Sequence, residues 1–120
     1  MTVRFVEITD MHPMAKQRPR VGVSGSFYTP KASLQYERKL RERWLAKYPI
    51  ELYPPFDGPV SMTVRVAKGY IYIAVDDETT LTPSVLRSDL DNVIKAIGDG
   101  LNGAAFYDDK QVHAIAALKT

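Results

Sequence analysis

Apolar and polar residues change rhythm several times along this 120-residue chain, and each change marks an element. Val3 to Ile8 alternates and predicts a first strand, broken at Asp10-Met11-His12-Pro13 by turn residues and proline. A loop then runs to about Ser26, and Val21 to Tyr28 can close a short hairpin around Ser24-Gly25. Thr29-Pro30 supplies an N-cap followed by proline at the first helical position, opening a helix expected to reach about Lys47. Tyr36, Leu40, Trp44 and Tyr48 recur every fourth residue as its buried stripe. Glu37, Arg38, Lys39, Arg41, Glu42 and Arg43 lie mostly outside, and Pro49 stops it.

After the loop Pro54-Pro55-Phe56-Asp57-Gly58-Pro59, Val60, Met62, Val64 and Val66 alternate strictly with Ser61, Thr63 and Arg65. That pattern predicts a half-buried strand with its even positions facing the core. Lys68-Gly69 turns the chain into Tyr70 to Val75, a β-rich run suited to the next antiparallel strand. Residues 76–88 form a polar connection containing Asp76-Asp77-Glu78 and Pro83. From Asp89 onward, Leu90, Ile94, Ile97 and Leu101 repeat at helical spacing, and Asn102-Gly103 ends the helix in a left-handed cap. Gly98 and Gly100 each weaken that helix by roughly 1 kcal/mol relative to alanine, which implies a need for small residues or close helix approach. A last strand, Val112 to Leu118, is expected after Asp108-Asp109. This order predicts a two-layer α+β domain with two main helices on one face of a mixed β-sheet, residues 1–120 forming one small domain. Exposed sheet or helix surface on so small a body invites a dimer.

Composition narrows the chemistry. With 45% hydrophobic and 25% charged residues the chain belongs with ordinary globular proteins, not disordered ones. It has no cysteine and only His12 and His113, which excludes disulfides, thiolate sites and a histidine-based zinc centre. Any metal must be held by oxygen. No apolar run approaches membrane-spanning length, and Met1-Thr2-Val3-Arg4-Phe5-Val6-Glu7 lacks the features of a signal peptide, so a soluble cytoplasmic protein is expected. The net charge of +2 hides a division: residues 1–50 carry ten Lys/Arg against four Asp/Glu, and residues 51–120 carry six against ten. One half can attract a polyanion, and the other can bind a cation.

The acidic half contains Asp89 and Asp91 at i and i+2, Lys95 four residues beyond Asp91, and the pair Asp108-Asp109 before the last apolar run. If Asp89 caps the second helix, its side chain accepts a backbone N–H, Asp91 lies in the first turn, and Lys95 sits one turn on along the same face. In a two-layer fold the loop entering the last strand can bring a third carboxylate beside them. Clustered carboxylates repel one another unless a cation neutralises them, and a hard divalent cation takes oxygen ligands. Such a site can hydrolyse a phosphodiester. The plainer account is that capping and the helix dipole favour Asp89 and Asp91, that Asp91 and Lys95 are an ordinary i,i+4 pair, and that Asp108-Asp109 are turn residues. In the basic half, Lys16, Arg18 and Arg20 alternate in a proline-stiffened segment at about phosphate spacing, and Tyr28 can stack on a base or sugar. The alternative for that segment is a solvated charge run.

At these residues the chain resembles the RusA-type Holliday junction resolvases, a family of small dimeric endonucleases. The likeness rests on Asp89-Leu90-Asp91-Asn92-x-x-Lys95-Ala96 with Asp99, then Asn102-Gly103, then Asp108-Asp109-x-Gln111-Val112. It extends to Lys16-Gln17-Arg18-Pro19-Arg20 and Phe27-Tyr28-Thr29-Pro30. The resemblance implies a bacterial or phage-encoded homodimer that binds branched DNA, especially four-way junctions, and nicks two opposing strands in recombination and repair. It implies Mg²⁺, with Mn²⁺ able to substitute, held by Asp89, Asp91 and Asp109, with Asp108 in reserve and Lys95 assisting the chemistry. Residues 68–88, with the additional Tyr70-to-Val75 strand and a long connection, depart from the family pattern. Two rivals stand beside this reading. One is a restriction-enzyme-like nuclease of another fold, built on Asp89 with Asp108-x-Lys110, a motif whose second half must lie in a strand. The other is a non-catalytic DNA-binding module.

Overall fold

Alternation at the amino terminus becomes a strand because its even and odd positions can part to opposite faces, and the computed structural model shows β1 at Val3–Ile8. The structure describes residues 2–15, 19–28, 30–77 and 86–117. It divides into two compact units, Met1–Thr79 and Thr80–Thr120.

The first unit continues with β2 (Arg20–Val21), β3 (Phe27–Tyr28), α1 (Lys31–Lys47), β4 (Ser61–Ala67) and β5 (Tyr70–Asp76). β1, β5 and β4 form a sheet in that order, and β2 pairs with β3 in a hairpin. All described ladders are antiparallel. The expected α+β class therefore holds: the described residues form an antiparallel sheet and two helices. Thr29, expected as the N-cap of α1, lies outside the described residues; Pro30 occupies the cap position without a side-chain hydrogen bond. The helix ends with the Tyr48 N–H donating to the Trp44 carbonyl at 2.9 Å, immediately before Pro49.

Directly opposed residues share a sheet face, so the register aligns Val6 with Ile73 and Ile8 with Ile71. Val6, Ile8, Met11 and Ile71 are buried, and the expected stripe of Tyr36, Leu40, Trp44 and Tyr48 packs against them. Full burial of such an aliphatic side chain contributes about 1.5–3 kcal/mol. The edge of β1 is held as well: the Phe5 N–H donates to Tyr48 Oη at 3.0 Å, and Lys47 Nζ donates to the Phe5 carbonyl at 2.7 Å. Arg4 pins the loop after α1, its Nη1 donating to the Pro54 carbonyl at 2.8 Å and its guanidinium lying 4.2 Å from the Phe56 ring centroid.

One expectation about this sheet is corrected. Met62, Val64 and Val66 lie opposite Val75, Ile73 and Ile71 and so share the helix-facing side. They are nevertheless 68%, 48% and 59% exposed. The strand alternates as its sequence requires, but the apolar stripe of α1 packs on the buried cluster of β1 and β5, leaving the outermost strand uncovered in this unit. His12, in the loop following β1, accepts a hydrogen bond at Nδ1 from the Gly69 N–H at 3.1 Å. It thereby ties the β4–β5 turn, where Gly69 has φ +67°, to the loop following β1.

The second unit contains α2 (Leu90–Leu101) and a 3-10 turn at Asp109–Gln111. Gly103, at φ +80°, supplies the left-handed residue that the Asn102-Gly103 ending requires. The expected last strand does not form over residues 112–117, and Leu118 lies outside the described residues. Val112 instead follows the 3-10 turn, its N–H donating to the Asp109 carbonyl at 3.0 Å. Among the described residues no ladder partner meets this segment, so its β-rich composition has no sheet to join.

Candidate functional site

Asp89 stands at the N-cap position of α2 with extended backbone, as its place before the apolar repeat requires. Its side chain, however, makes no capping hydrogen bond. The expectation that it accepts a helix N–H is corrected, and the carboxylate is not consumed by the helix. Asp91 occupies the first turn, where the positive end of the helix favours an anion. Asp89, Asp91 and Lys95 are all exposed, so none is buried dry against apolar neighbours.

Asp108 is used differently. Its carboxylate accepts the Lys110 N–H at 2.8 Å, while Gln111 Oε1 accepts the Asp108 N–H at 3.1 Å, closing a reciprocal cap on the 3-10 turn. The Lys110 amide, then a hydrogen bond with the neighbouring Asp109 carboxyl, holds the Asp108 carboxyl below the ordinary carboxylate range. Asp109 is the exposed first residue of the turn and does not cap it. Gln111 Oε1 also accepts the Tyr107 N–H at 2.7 Å, so one glutamine fixes the approach to the acidic pair.

The structure does not gather the three proposed ligands: among the described residues no group of three His, Cys, Asp or Glu is close enough to hold a metal ion. The sequence argument for convergence relied on the last strand to carry Asp109 alongside the start of α2, and among the described residues 112–117 no strand forms. In donor chemistry the set still fits a hard cation, because Asp89, Asp91 and Asp109 are solvent-facing oxygen donors on a chain without thiolates. Asp108-x-Lys110 lies across a 3-10 turn, not in a strand, so it lacks the setting that the restriction-enzyme-like motif requires.

In the first unit, Lys16 and Arg18 lie outside the described residues. Arg20 and Tyr28 are directly paired across the β2–β3 hairpin, and Tyr28 is half exposed. Sequence reasoning found this hairpin but missed its surface: Val21, Val23 and Phe27 are all exposed, with Phe27 at 75%. The signal is the apolar alternation from Val21 to Phe27, which sets side chains on one face of a ribbon too short to bury them.

No curated protein and no solved structure gives a match. The family model described as Endodeoxyribonuclease RusA matches residues 10–120, a span that contains the basic segment, the hairpin, both helices and both acidic pairs. Among the described residues, no helix is long and apolar enough to cross a membrane. With nearly its whole length matched, the chain belongs to the RusA endodeoxyribonuclease family, whose members are hydrolytic nucleases acting on branched DNA.

Proposed function

We propose that this protein is a Mg²⁺-dependent, structure-selective DNA endonuclease that resolves four-way junctions by paired nicking, serving recombination and repair as a homodimer. The observation that carries the reading is the exposed, uncapping Asp89 with Asp91 at the start of α2, in a chain matched to a nuclease family from residue 10 to 120. Asp89, Asp91 and Asp109 are the residues that would hold the metal. Asp109 is favoured over Asp108 because Asp108 already spends a carboxylate oxygen on its turn. When bound, Mg²⁺ supplies Lewis-acid polarisation of the phosphate and a water acidified toward neutral pH.

The chain's own residues set up the rest. The exposed Asp89 and Asp91 fix where the scissile phosphate is held relative to the attacking water. Lys95, one turn past Asp91, stabilises negative charge developing on the phosphoryl oxygens. Water adds to phosphorus, the bond to the 3′ oxygen breaks, and that oxygen takes up a proton, leaving a 5′-phosphate and a 3′-hydroxyl. Lys16, Arg18 and Arg20 contact backbone phosphates, and Tyr28 stacks on a base or sugar. Twofold symmetry of a homodimer matches the approximate symmetry of a four-way junction and places one cut on each of two opposing strands.

The test is a nicking assay on a synthetic mobile four-way junction with Mg²⁺, with EDTA, and with Asp91→Asn. Cutting that needs Mg²⁺ and disappears in the variant, while junction binding is kept or tightened, supports the reading. Unchanged cutting by the variant ends it.

A further inference from the structure

The β2–β3 hairpin is small, and its surface is at odds with its size. A two-pair hairpin has little core of its own, so exposed apolar side chains on it contribute nothing to folding stability. Yet Val21 is 60% exposed, Phe27 is 75% exposed, and Val23 at the turn is fully exposed. Register places Val21 directly opposite Phe27, on one face of the ribbon. The turn beyond them is braced: the Gly22 N–H donates to the Ser26 carbonyl at 2.8 Å, the Gly25 N–H to the Gly22 carbonyl at 2.9 Å, and Ser24 and Ser26 hydroxyls lie 2.9 Å apart. Gly25, at φ +82°, provides the left-handed step that closes it. The result is a stiff ribbon with an apolar face and tip.

Its surroundings in sequence indicate what it meets. Between Asp10 and Glu37 the chain carries Lys16, Arg18, Arg20 and Lys31 and no acidic residue. An apolar tip within an exclusively cationic segment suits a polyanion that also offers apolar surface, and a nucleic acid has both in its phosphates and base faces. A protein partner of ordinary composition does not call for that combination.

We infer that the β2–β3 hairpin is a wedge that enters the branch point of the DNA, with Phe27 inserted against an unstacked base and Val21 and Val23 filling the opening beside it. The inference rests on the proposed action on branched DNA and adds the residues that distinguish a branch from a continuous duplex. Separating two stacked base pairs in duplex costs their stacking free energy, whereas the step at a branch is already interrupted and costs less to open. A stiff apolar wedge therefore discriminates by the price of entry, and the flanking cations hold the phosphates while it does so.

The experiment places 2-aminopurine at the branch point of a synthetic four-way junction and follows its fluorescence with the full-length chain in EDTA, where no strand is cut. Wild type is expected to raise the signal, because a base freed from its stack loses the quenching of its neighbours. Phe27→Ala is expected to remove most of that rise, and Phe27→Leu to keep a large part of it, with circular dichroism unchanged because the side chain is exposed. Phe27→Ala behaving as wild type overturns the wedge. So does equal weakening of Phe27→Ala on junction and plain duplex, which would make Phe27 a general contact. A variant that shifts from dimer to monomer shows the surface to be a contact between copies, again overturning the proposal. Wild type that cuts the junction without a fluorescence change defeats the wedge alone, whereas wild type that neither binds nor cuts it defeats the proposed function first.

Discussion

Arg43 grips Asp10 with both prongs of its guanidinium, Nη1 to Oδ1 and Nη2 to Oδ2, each at 2.6 Å. This pair joins the outward face of α1 to the turn that ends β1. The hydrogen bond from Arg43, reinforced by its charge, lowers the Asp10 carboxyl below its ordinary value. A lowered folded value means that the pair contributes fully above the unfolded carboxylate value and is lost as pH falls through the folded one. Carbon-detected NMR titration is expected to give Asp10 a midpoint below the ordinary aspartate value, and Arg43→Gln is expected to raise it back toward that value. A midpoint unchanged by the substitution would show that the pair does not persist in solution.

The two adjacent acids at the 3-10 turn are expected to separate on substitution. Asparagine at 108 keeps an oxygen to accept the Lys110 N–H, so Asp108→Asn should fold normally and retain most cutting. Asp109→Asn should lower the nicking rate by about 100-fold or more, the scale on which a group serving charge stabilisation at the reacting centre is missed. Single-turnover assays on a four-way junction measure both, and the reverse order would make Asp108 the ligand.

Neither Gly98 nor Gly100 of α2 has a heavy atom within 4 Å of where a Cβ would stand, and neither has positive φ. The packing need inferred from their presence is not met by any close contact. Gly98→Ala and Gly100→Ala should each stabilise the protein by about 0.5–1 kcal/mol in urea unfolding. A variant that gains stability while losing junction cutting would show that the small residue serves approach of the DNA.

The helix-facing side chains of β5 and β4 should differ in what they contribute. Ile71→Ala removes a side chain that is 3% exposed and should cost about 2–5 kcal/mol. Met62→Ala, on the uncovered strand, should cost less than about 1 kcal/mol. Equal losses in urea midpoint would mean that the β4 face is covered in solution.

Replacing Lys16, Arg18 and Arg20 together should flatten the dependence of junction affinity on salt, by a slope of about 0.9 for each phosphate contact removed. Tyr28→Ala should weaken binding with the slope unchanged, since stacking releases no counterions. Titrations at four or five salt concentrations distinguish the two effects.

Period-two and period-four apolar spacing made β1, α1 and the β4–β5 pair legible in the sequence, because each element shows its face within its own few residues. Burial was less legible. Met62, Val64 and Val66 alternate just as Ile71 and Ile73 do, and the difference comes from which strands the apolar stripe of α1 covers, β1 and β5 but not β4, which local pattern does not contain. The strand expected from Val112 does not form over the described residues for a related reason: β propensity needs a pairing partner, and the sequence did not show that none of the described strands would pair with it. Asp89 was correctly placed at a helix start with the extended backbone usual there, but whether its carboxylate caps the helix depends on side-chain torsion, which spacing does not fix. Roles for His12, Tyr48 and Gln111 rest on partners far along the chain or on turn geometry, and residue type alone does not reveal them.

The hold that Lys47 and Tyr48 take on Phe5 bears on how this protein behaves at high concentration. A foreign chain adding itself to the sheet would need the Phe5 amide and carbonyl, and both are already engaged by side chains from α1. Spontaneous β-type self-association is therefore obstructed along the Val3–Ile8 border. The opposite border, Ser61–Ala67, pairs on one side only among the described residues, so lateral growth of the sheet has a single available direction.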